Sequence, residues 1–406
     1  MEEAIARPRC AASQGGFLME WSPQQASALD DVGVWHNLCL SELRAGKPLS
    51  RPVFYLAGYA GTGKSTLTKH IASQIDGKTV YAAYTGKAAM VMRKNGCDGA
   101  LTIHSAMYEA KQDEDTGEVS FDFNKEGPFS RAALIAIDEV SMVDAPMAEE
   151  ILSYGRPLLV MGDPAQLPPV TSDRDRQNGT GAGYFTSRTP DVMLTEIHRQ
   201  AAGNPIIQLA SDVREGRPLR IGLYGESRVI SKSDITAAMV MAVDQVLVGK
   251  NDTRGAYNAR IRELLGRSNF LPCPGDRLVC IKNDRKTAIF NGGIFRVGKV
   301  NPMKKGRAAN GEIVMILDNV DQPERDPIKV WVRHECFNGK LTGLPWQARK
   351  GLQEFDYGYA LTVHKAQGSQ WDDVLLLDQS ATFKADSRRW LYTGLTRAAE
   401  RITVAI

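Results

Sequence analysis

The chain has 406 residues, with 50 lysines and arginines against 47 aspartates and glutamates, a formal net charge of +3. A hydrophobic share of 43% and a charged share of 24% exclude a disordered or fibrous chain, and the length suits about two to three domains. The charge balance is too mild to indicate a nucleic-acid partner, so any such reading has to come from motifs.

Nothing in the chain approaches the roughly 20 apolar residues of a membrane span, and the first residues lack the apolar stretch of a secretory signal. Six cysteines are scattered without a C-x-x-C pair. That spacing argues against a zinc ribbon or a disulfide framework and implies a reducing, cytoplasmic setting.

Residues 1–20 read as a flexible start. Ser22 and Pro23 open a helix expected to run to about Ala45, because serine caps well and proline loses nothing at the first position. Short apolar runs then alternate with helical patterns. The runs are Val53–Ala57, Thr79–Ala83, Ala133–Ile137 and Leu158–Met161, with helices expected over Ser65–Ile75 and Gly86–Lys94. That rhythm predicts a parallel sheet with helices on both faces. The third and fourth runs lead into Asp138-Glu139 and Gly162-Asp163. Ligands bind at the carboxyl ends of such strands, which makes acidic residues there site candidates.

An insertion at 105–130 contains an alternating stretch with a turn at Asp115-Thr116-Gly117, and predicts a β-hairpin. Across Glu109–Glu126 it carries seven acids and two lysines, so most of its length should be solvated. A second α/β series follows: Val192–Thr195, a helix over Pro205–Glu215, Gln245–Val248 and a helix over Thr253–Leu265. It resumes with Gly358–Leu361, Val374–Leu377, a helix near Arg388–Ala398 and the strand Ile402–Ile406. Between these parts, 274–350 is punctuated by glycines and alternates over short stretches, the pattern of a small β-barrel.

Chemistry concentrates in a few places. Gly58-Tyr59-Ala60-Gly61-Thr62-Gly63-Lys64-Ser65 matches the phosphate-loop pattern, follows an apolar strand and opens a helix. Its glycines let backbone N–H groups wrap phosphates, Lys64 reaches the terminal ones, and Ser65 can bind Mg²⁺. Asp138 ends a buried strand where it can join the Mg²⁺ shell, and Glu139 can polarise a water. Two adjacent carboxylates at that depth need a cation or hydrogen bonds. Gln166, in the proline-bounded loop after Asp163, is placed to meet the third phosphate.

These segments, in this order, resemble motifs I, II and III of superfamily 1 helicases. Leu194–Gln200 resembles motif IV, Tyr359–Val374 motif V and Leu391–Ala398 motif VI. The Thr362-Val363-His364-Lys365-Ala366-Gln367-Gly368-Ser369 segment resembles the RecD/Dda branch, superfamily 1B, whose members move 5′ to 3′. The resemblance covers about residues 21–406 and implies two RecA-like P-loop NTPase domains. Domain 1A would span 21–190 with the hairpin 1B at 105–130. Domain 2A would comprise 191–273 and 351–406, and an SH3-like barrel, 2B, would fill 274–350.

By the same resemblance, ATP and Mg²⁺ are the cofactors. Gln25 reads adenine, with Gln24 as the alternative register. Gly61, Thr62, Gly63, Lys64, Ser65 and Thr66 hold the phosphates, Ser65 and Asp138 the metal, and Gln370 the ribose, where the family has glutamate. Arg199 and Arg397 reach the γ-phosphate from the second domain. Each could be an ordinary surface arginine if taken alone; the ordered motifs decide. Thr85, Gly86, Lys87, Thr102, His104, Asn291, Thr362, His364 and Lys365 contact single-stranded DNA, chiefly through phosphates. Where the family has proline before Thr85, this chain has Tyr84. Phe121 or Phe123 is the candidate for a strand-splitting aromatic.

The implied activity is an ATP-dependent DNA helicase or translocase, working as a monomer on single strands and duplex junctions, beside single-strand-binding, replication or recombination proteins. Two other readings stand beside it: a motor-like DNA-binding subunit of a larger recombination or repair complex, and a P-loop ATPase acting on RNA or protein.

Overall fold

A computed structural model describes residues 21–112, 119–168, 183–196, 203–284, 289–301 and 311–406. Helix α1 (Pro23–Arg44) begins as its sequence demands. Ser22 accepts the N–H of Gln25, the Gln25 side chain accepts the N–H of Ser22, and Pro23 holds the first position. Ala28, Val32, Trp35 and Cys39, three or four residues apart, form its buried stripe.

Then follow β1 (Val53–Gly58), α2 (Lys64–Ser73), β2 (Thr79–Ala83), α3 (Gly86–Lys94), β3 (Leu101–Thr102) and α4 (Ile103–Met107). Next come β4 (Tyr108–Gln112), β5 (Val119–Phe123), β6 (Leu134–Asp138), α5 (Ala145–Leu152), β7 (Leu158–Gly162) and β8 (Val192–Leu194). Six of these strands form one parallel sheet in the order β3-β2-β6-β7-β1-β8. Next to its edge strand β8, β1 is buried at every position and paired from Val53↔Leu158 to Ala57↔Gly162 with β7. Apolar clusters cover both faces, one around Ile135, Val160 and Phe129, the other around Phe54, Leu134 and α1. Strands β4 and β5 pair antiparallel as a separate ribbon, Tyr108 opposite Phe123. The turn expected at 115–117 lies outside the described residues.

A second sheet is built by α6 (Pro205–Arg214), β9 (Gly222–Tyr224), β10 (Ser227–Ile230), α7 (Ala237–Ala242), β11 (Gln245–Val248) and α8 (Asn251–Leu264). The chain leaves it for five strands: β12 (Arg277–Cys280), β13 (Ile294–Asn301), β14 (Glu312–Asn319), β15 (Ile328–Arg333) and β16 (Phe355–Tyr357). It returns through β17 (Ala360–Thr362), β18 (Trp371–Leu377), α9 (Ser387–Leu395) and β19 (Ala398–Ala405). The second sheet runs β17-β11-β18-β19-β10-β9 and is parallel except where β9 meets β10. The third runs β15-β14-β13-β12-β16, antiparallel throughout.

Three boundaries differ from the expectation. Val192–Leu194 joins the first sheet instead of opening the second series, because it pairs with Leu56–Gly58 of β1. Asp191 fastens that end by accepting the N–H of Tyr55 at 2.6 Å and pairing with Arg51. The inserted sheet does not stop at 350, since Phe355–Tyr357 pairs with β12 as its last strand. Ala398, expected in a helix, starts β19.

A buried polar knot fixes the inserted sheet to the second unit. Asp276, fully buried, accepts from Arg262 at 3.2 Å, from the Tyr359 hydroxyl at 2.9 Å and from the N–H of Cys273 at 2.8 Å. Arg262 also lies 4.2 Å over the Tyr357 ring. These contacts hold Asp276 below the usual carboxylate range against the opposing effect of its burial.

Candidate nucleotide and nucleic-acid site

The loop after β1 turns through Gly61 and Gly63, at φ 80° and 79°, a backbone region that a side chain would strain. This aims the start of α2 at a cleft of about 350 Å³ between the two parallel-sheet units. From the first unit it is lined by Gly61, Thr62, Gly63, Lys64, Ser65 and Thr66. Asp138, Glu139, Asp163 and Gln166 complete that wall. Ser369, Gln370, Thr396 and Arg397 close it from the second unit.

Lys64 donates to the carbonyls of Gly58 (2.7 Å) and Tyr59 (2.9 Å), so its charge is held at the loop by neutral acceptors. The Ser65 hydroxyl donates to Asp138 Oδ2 at 3.4 Å. Asp138 opens onto the cleft yet is enclosed by protein on its other sides. Burial first, and the neighbouring Glu139 charge second, push its pKa up to about 6 against the pull of Lys64. A hydroxyl and a carboxylate that is costly to ionise are donors suited to a hard divalent cation.

Glu139 has φ 56° and ψ 43°. A non-glycine residue there stores about 1–3 kcal/mol of strain, a cost that clusters at functional positions.

Gln166 is 8% exposed, and its Oε1 has no hydrogen-bond partner among the described residues, which leaves a buried polar atom beside the cleft. Arg397 is 5% exposed and makes no salt bridge among the described residues. Its guanidinium donates to the carbonyls of Thr393 (3.1 Å) and Ser369 (3.3 Å) and to Thr396 Oγ1 (3.1 Å). A buried cation held by neutral acceptors at a cleft wall suits an anionic ligand. Arg199 lies outside the described residues.

Gln25 is committed differently from the expectation. Its Nε2 donates to the Thr62 carbonyl at 3.1 Å and its Oε1 serves the helix cap, so in this state it braces the phosphate loop from behind. The Gln24 amide binds Thr195, accepting its N–H at 2.8 Å, and also accepts the N–H of Glu196 at 3.0 Å.

The strand-binding candidates divide into two groups. Thr85, Thr102 and Thr362 each accept a backbone N–H as a cap, from Ala88, Ser105 and Lys365. Accepting leaves each hydroxyl proton available to a phosphate oxygen. His104 packs against Tyr108 and Phe121 at ring distances of 4.6 and 4.8 Å, and His364 against Phe383 at 5.1 Å. Phe121 faces solvent, while Phe123 packs toward the first core. Asn291 is exposed at a turn completed by Gly292. Burial lowers the Lys365 ammonium pKa.

Gly86 and Lys87 are covered, contrary to the expectation of open strand contacts. Phe290 of the inserted sheet packs where a side chain at Gly86 would stand. Lys87, 6% exposed, pairs with Asp321 at 3.2 Å and sits 4.6 Å from the Trp371 ring. Three units converge on that one lysine, because its long stem reaches a gap that they jointly close.

Leu167 and Tyr392 lie inside the segments that resemble motifs III and VI, but neither was singled out as a site residue. Both lie between the two parallel-sheet units, where only the tertiary arrangement reveals a contact. Asp163 was flagged only by its place after β7.

Two P-loop NTPase units of the RecA-like helicase fold, facing each other across one cleft, define the class. The AAA domain model matches residues 48–234 and the UvrD-like helicase C-terminal domain model residues 357–405. The ATP-dependent RecD2 DNA helicase of Deinococcus radiodurans is 29% identical, over 94% of this chain and 48% of its own length. The ATP-dependent DNA helicase Pif1 of Bdellovibrio bacteriovorus is 31% identical, over 49% of this chain and 44% of its own. A crystal structure of Bacteroides Pif1 helicase with ADP-AlF3 and single-stranded DNA aligns at a TM-score of 0.54 and 17% identity. It covers 91% of each chain and supports the fold. The chain thus carries an AAA domain and a UvrD-like helicase C-terminal domain, and it is similar to helicases of RecD and Pif1 type. It spans about half the length of the curated relatives it matches.

Proposed function

We propose that the chain is an ATP-driven motor that moves 5′ to 3′ along single-stranded DNA and separates duplex or displaces bound protein. The observation that carries this reading is that Lys64 and Arg397, from different parallel-sheet units, line one cleft, with the Gln166 amide oxygen beside them unpartnered among the described residues.

ATP enters with its phosphates against the N–H groups of residues 61–66, and Lys64 exchanges the Gly58 and Tyr59 carbonyls for phosphate oxygens. Ser65 and Asp138 are the residues that would hold Mg²⁺. When bound, the ion would neutralise charge on the β- and γ-phosphates. Glu139 orients and polarises the attacking water, and Gln166 meets the γ-phosphate. Arg397, with Arg199, balances the charge that spreads over the transferred group, so turnover depends on cleft closure. Gln370 serves the ribose, and Gln25 holds the loop that shapes the adenine end.

The strand crosses the tops of both units on Thr85, Thr102, His104, Thr362, His364 and Lys365, contacts that position without reading sequence. Gly86 and Lys87 join once the inserted sheet withdraws, and Asn291 approaches from that sheet. The inserted sheet, 277–357, serves as the SH3-like 2B element. The β4–β5 ribbon is the 1B hairpin, with Phe121 as its outward aromatic. Units 1A and 2A then cover about 21–194 and 203–273 with 358–406.

Duplexes with either a 5′ or a 3′ single-stranded tail test substrate, activity and polarity together. Strand separation with ATP on the 5′-tailed duplex, lost in Lys64→Ala, is the expected result. Separation only from the 3′ tail, or none from either, contradicts the proposal.

A further inference from the structure

The two parallel-sheet units are stitched together behind the cleft. Leu167 leaves the first unit and is 1% exposed within the apolar core of the second. Its N–H donates to Thr393 Oγ1 at 3.0 Å and its carbonyl accepts from Gln367 Nε2 at 3.0 Å. Thr393 also offers its carbonyl to Arg397. Thus the loop carrying Gln166 and the segment carrying Arg397 share one residue.

Beside this contact lies a buried hydroxyl bridge. Tyr392 and Asp163 are each 1% exposed. The Tyr392 hydroxyl donates to Asp163 Oδ2 at 2.5 Å and accepts the Ala60 N–H at 3.1 Å. The other Asp163 oxygen accepts the N–H of Ala165 at 2.9 Å. Ala60 lies in the phosphate loop, Asp163 precedes Gln166, and Tyr392 stands on α9 just ahead of Arg397. One side chain therefore connects three segments that line the cleft.

We propose that Tyr392 is a positioning residue for ATP hydrolysis: its hydroxyl registers α9 against the phosphate loop and Asp163, and so sets Arg397 in place when the cleft closes. The inference rests on the ATP-hydrolysing reading above. A buried carboxylate that receives a charge-assisted O–H bond is satisfied only while the units are docked. Once they part, Asp163 and the Ala60 N–H must be taken over by water. The joint is either fully made or fully wet, as a two-position element requires.

The test uses the full chain with Tyr392→Phe, which keeps the ring and removes the bridge, and Asp163→Ala, which removes the acceptor of the same bond. Backbone hydrogen exchange across residues 58–62 is read without nucleotide or DNA, and kcat and KM for ATP are read with single-stranded DNA. Tyr392→Phe should speed exchange at Ala60 by about tenfold, the value of one hydrogen bond to a charged network. It should lower kcat by about tenfold while KM stays within about twofold, the split expected when an interaction acts in the transition state. The double variant should be no worse than the poorer single one, since both remove one bond. Unchanged exchange at Ala60, a raised KM with kcat preserved, or additive losses overturns the proposal. A wild-type chain that hydrolyses no ATP defeats the motor reading itself, a different result from an active wild type matched by an equally active Tyr392→Phe.

Discussion

Asp138 shows how burial disfavours the charged form of a carboxylate. Its pKa, raised to about 6 from the ordinary value of 3.8, favours the protonated folded state. The linkage follows directly: protonated Asp138 stabilises the fold fully below about pH 4, and that contribution is lost as pH rises through about 6. Asp138→Asn, which cannot ionise, should escape the loss. In metal-free buffer the melting temperature of Asp138→Asn minus that of the unaltered chain should grow between about pH 4 and 6, and level off above. A flat difference would mean that the carboxylate is not disfavoured by its surroundings. Glu139 adds to the same picture, because its left-handed backbone spends stability where its carboxylate faces the cleft.

At the scale of elements, the inserted sheet lies against α3 through Lys87 and Asp321. Breaking a buried ion pair from one side leaves an uncompensated charge and costs about 3–5 kcal/mol. An element held by a few such contacts should yield before the core does. Asp321→Asn is therefore expected to free Lys87 and raise its reactivity toward an amine-acylating reagent, read by peptide mass mapping. Lys87 that stays as protected as before would show that apolar packing by Phe290 holds the contact without the charge. Elements whose cause is local were legible beforehand. Helix α3 starts at Thr85 because threonine caps it, and the phosphate loop declares itself through Gly61, Gly63 and Lys64. Strand β8 was misplaced because three residues, Val192–Leu194, carry no information about which sheet they complete; pairing with β1 decides it. The burial of Lys87 was invisible for the same reason, since Asp321 lies more than 200 residues away.

Across the whole molecule, the residues proposed to act on nucleotide are divided between two units that line one cleft, and the contacts that join those units lie beside it. Leu167, Thr393 and Gln367 form the mechanical joint, with the Tyr392 bridge beside it. The motifs were readable one at a time because each is a short local pattern. Their joint was not, because Leu167, Thr393, Gln367 and Tyr392 sit inside those motifs and only the tertiary arrangement shows that they meet. The account's central claim is that hydrolysis between Lys64 and Arg397 is coupled to a strand held across both units. Steady-state ATP hydrolysis by the purified chain, with and without single-stranded DNA, tests it most directly. The account predicts strong stimulation by DNA that disappears in Lys64→Ala, and in Arg397→Ala a loss of turnover with ATP binding retained. Equal hydrolysis with and without DNA, or full turnover in Arg397→Ala, would contradict it.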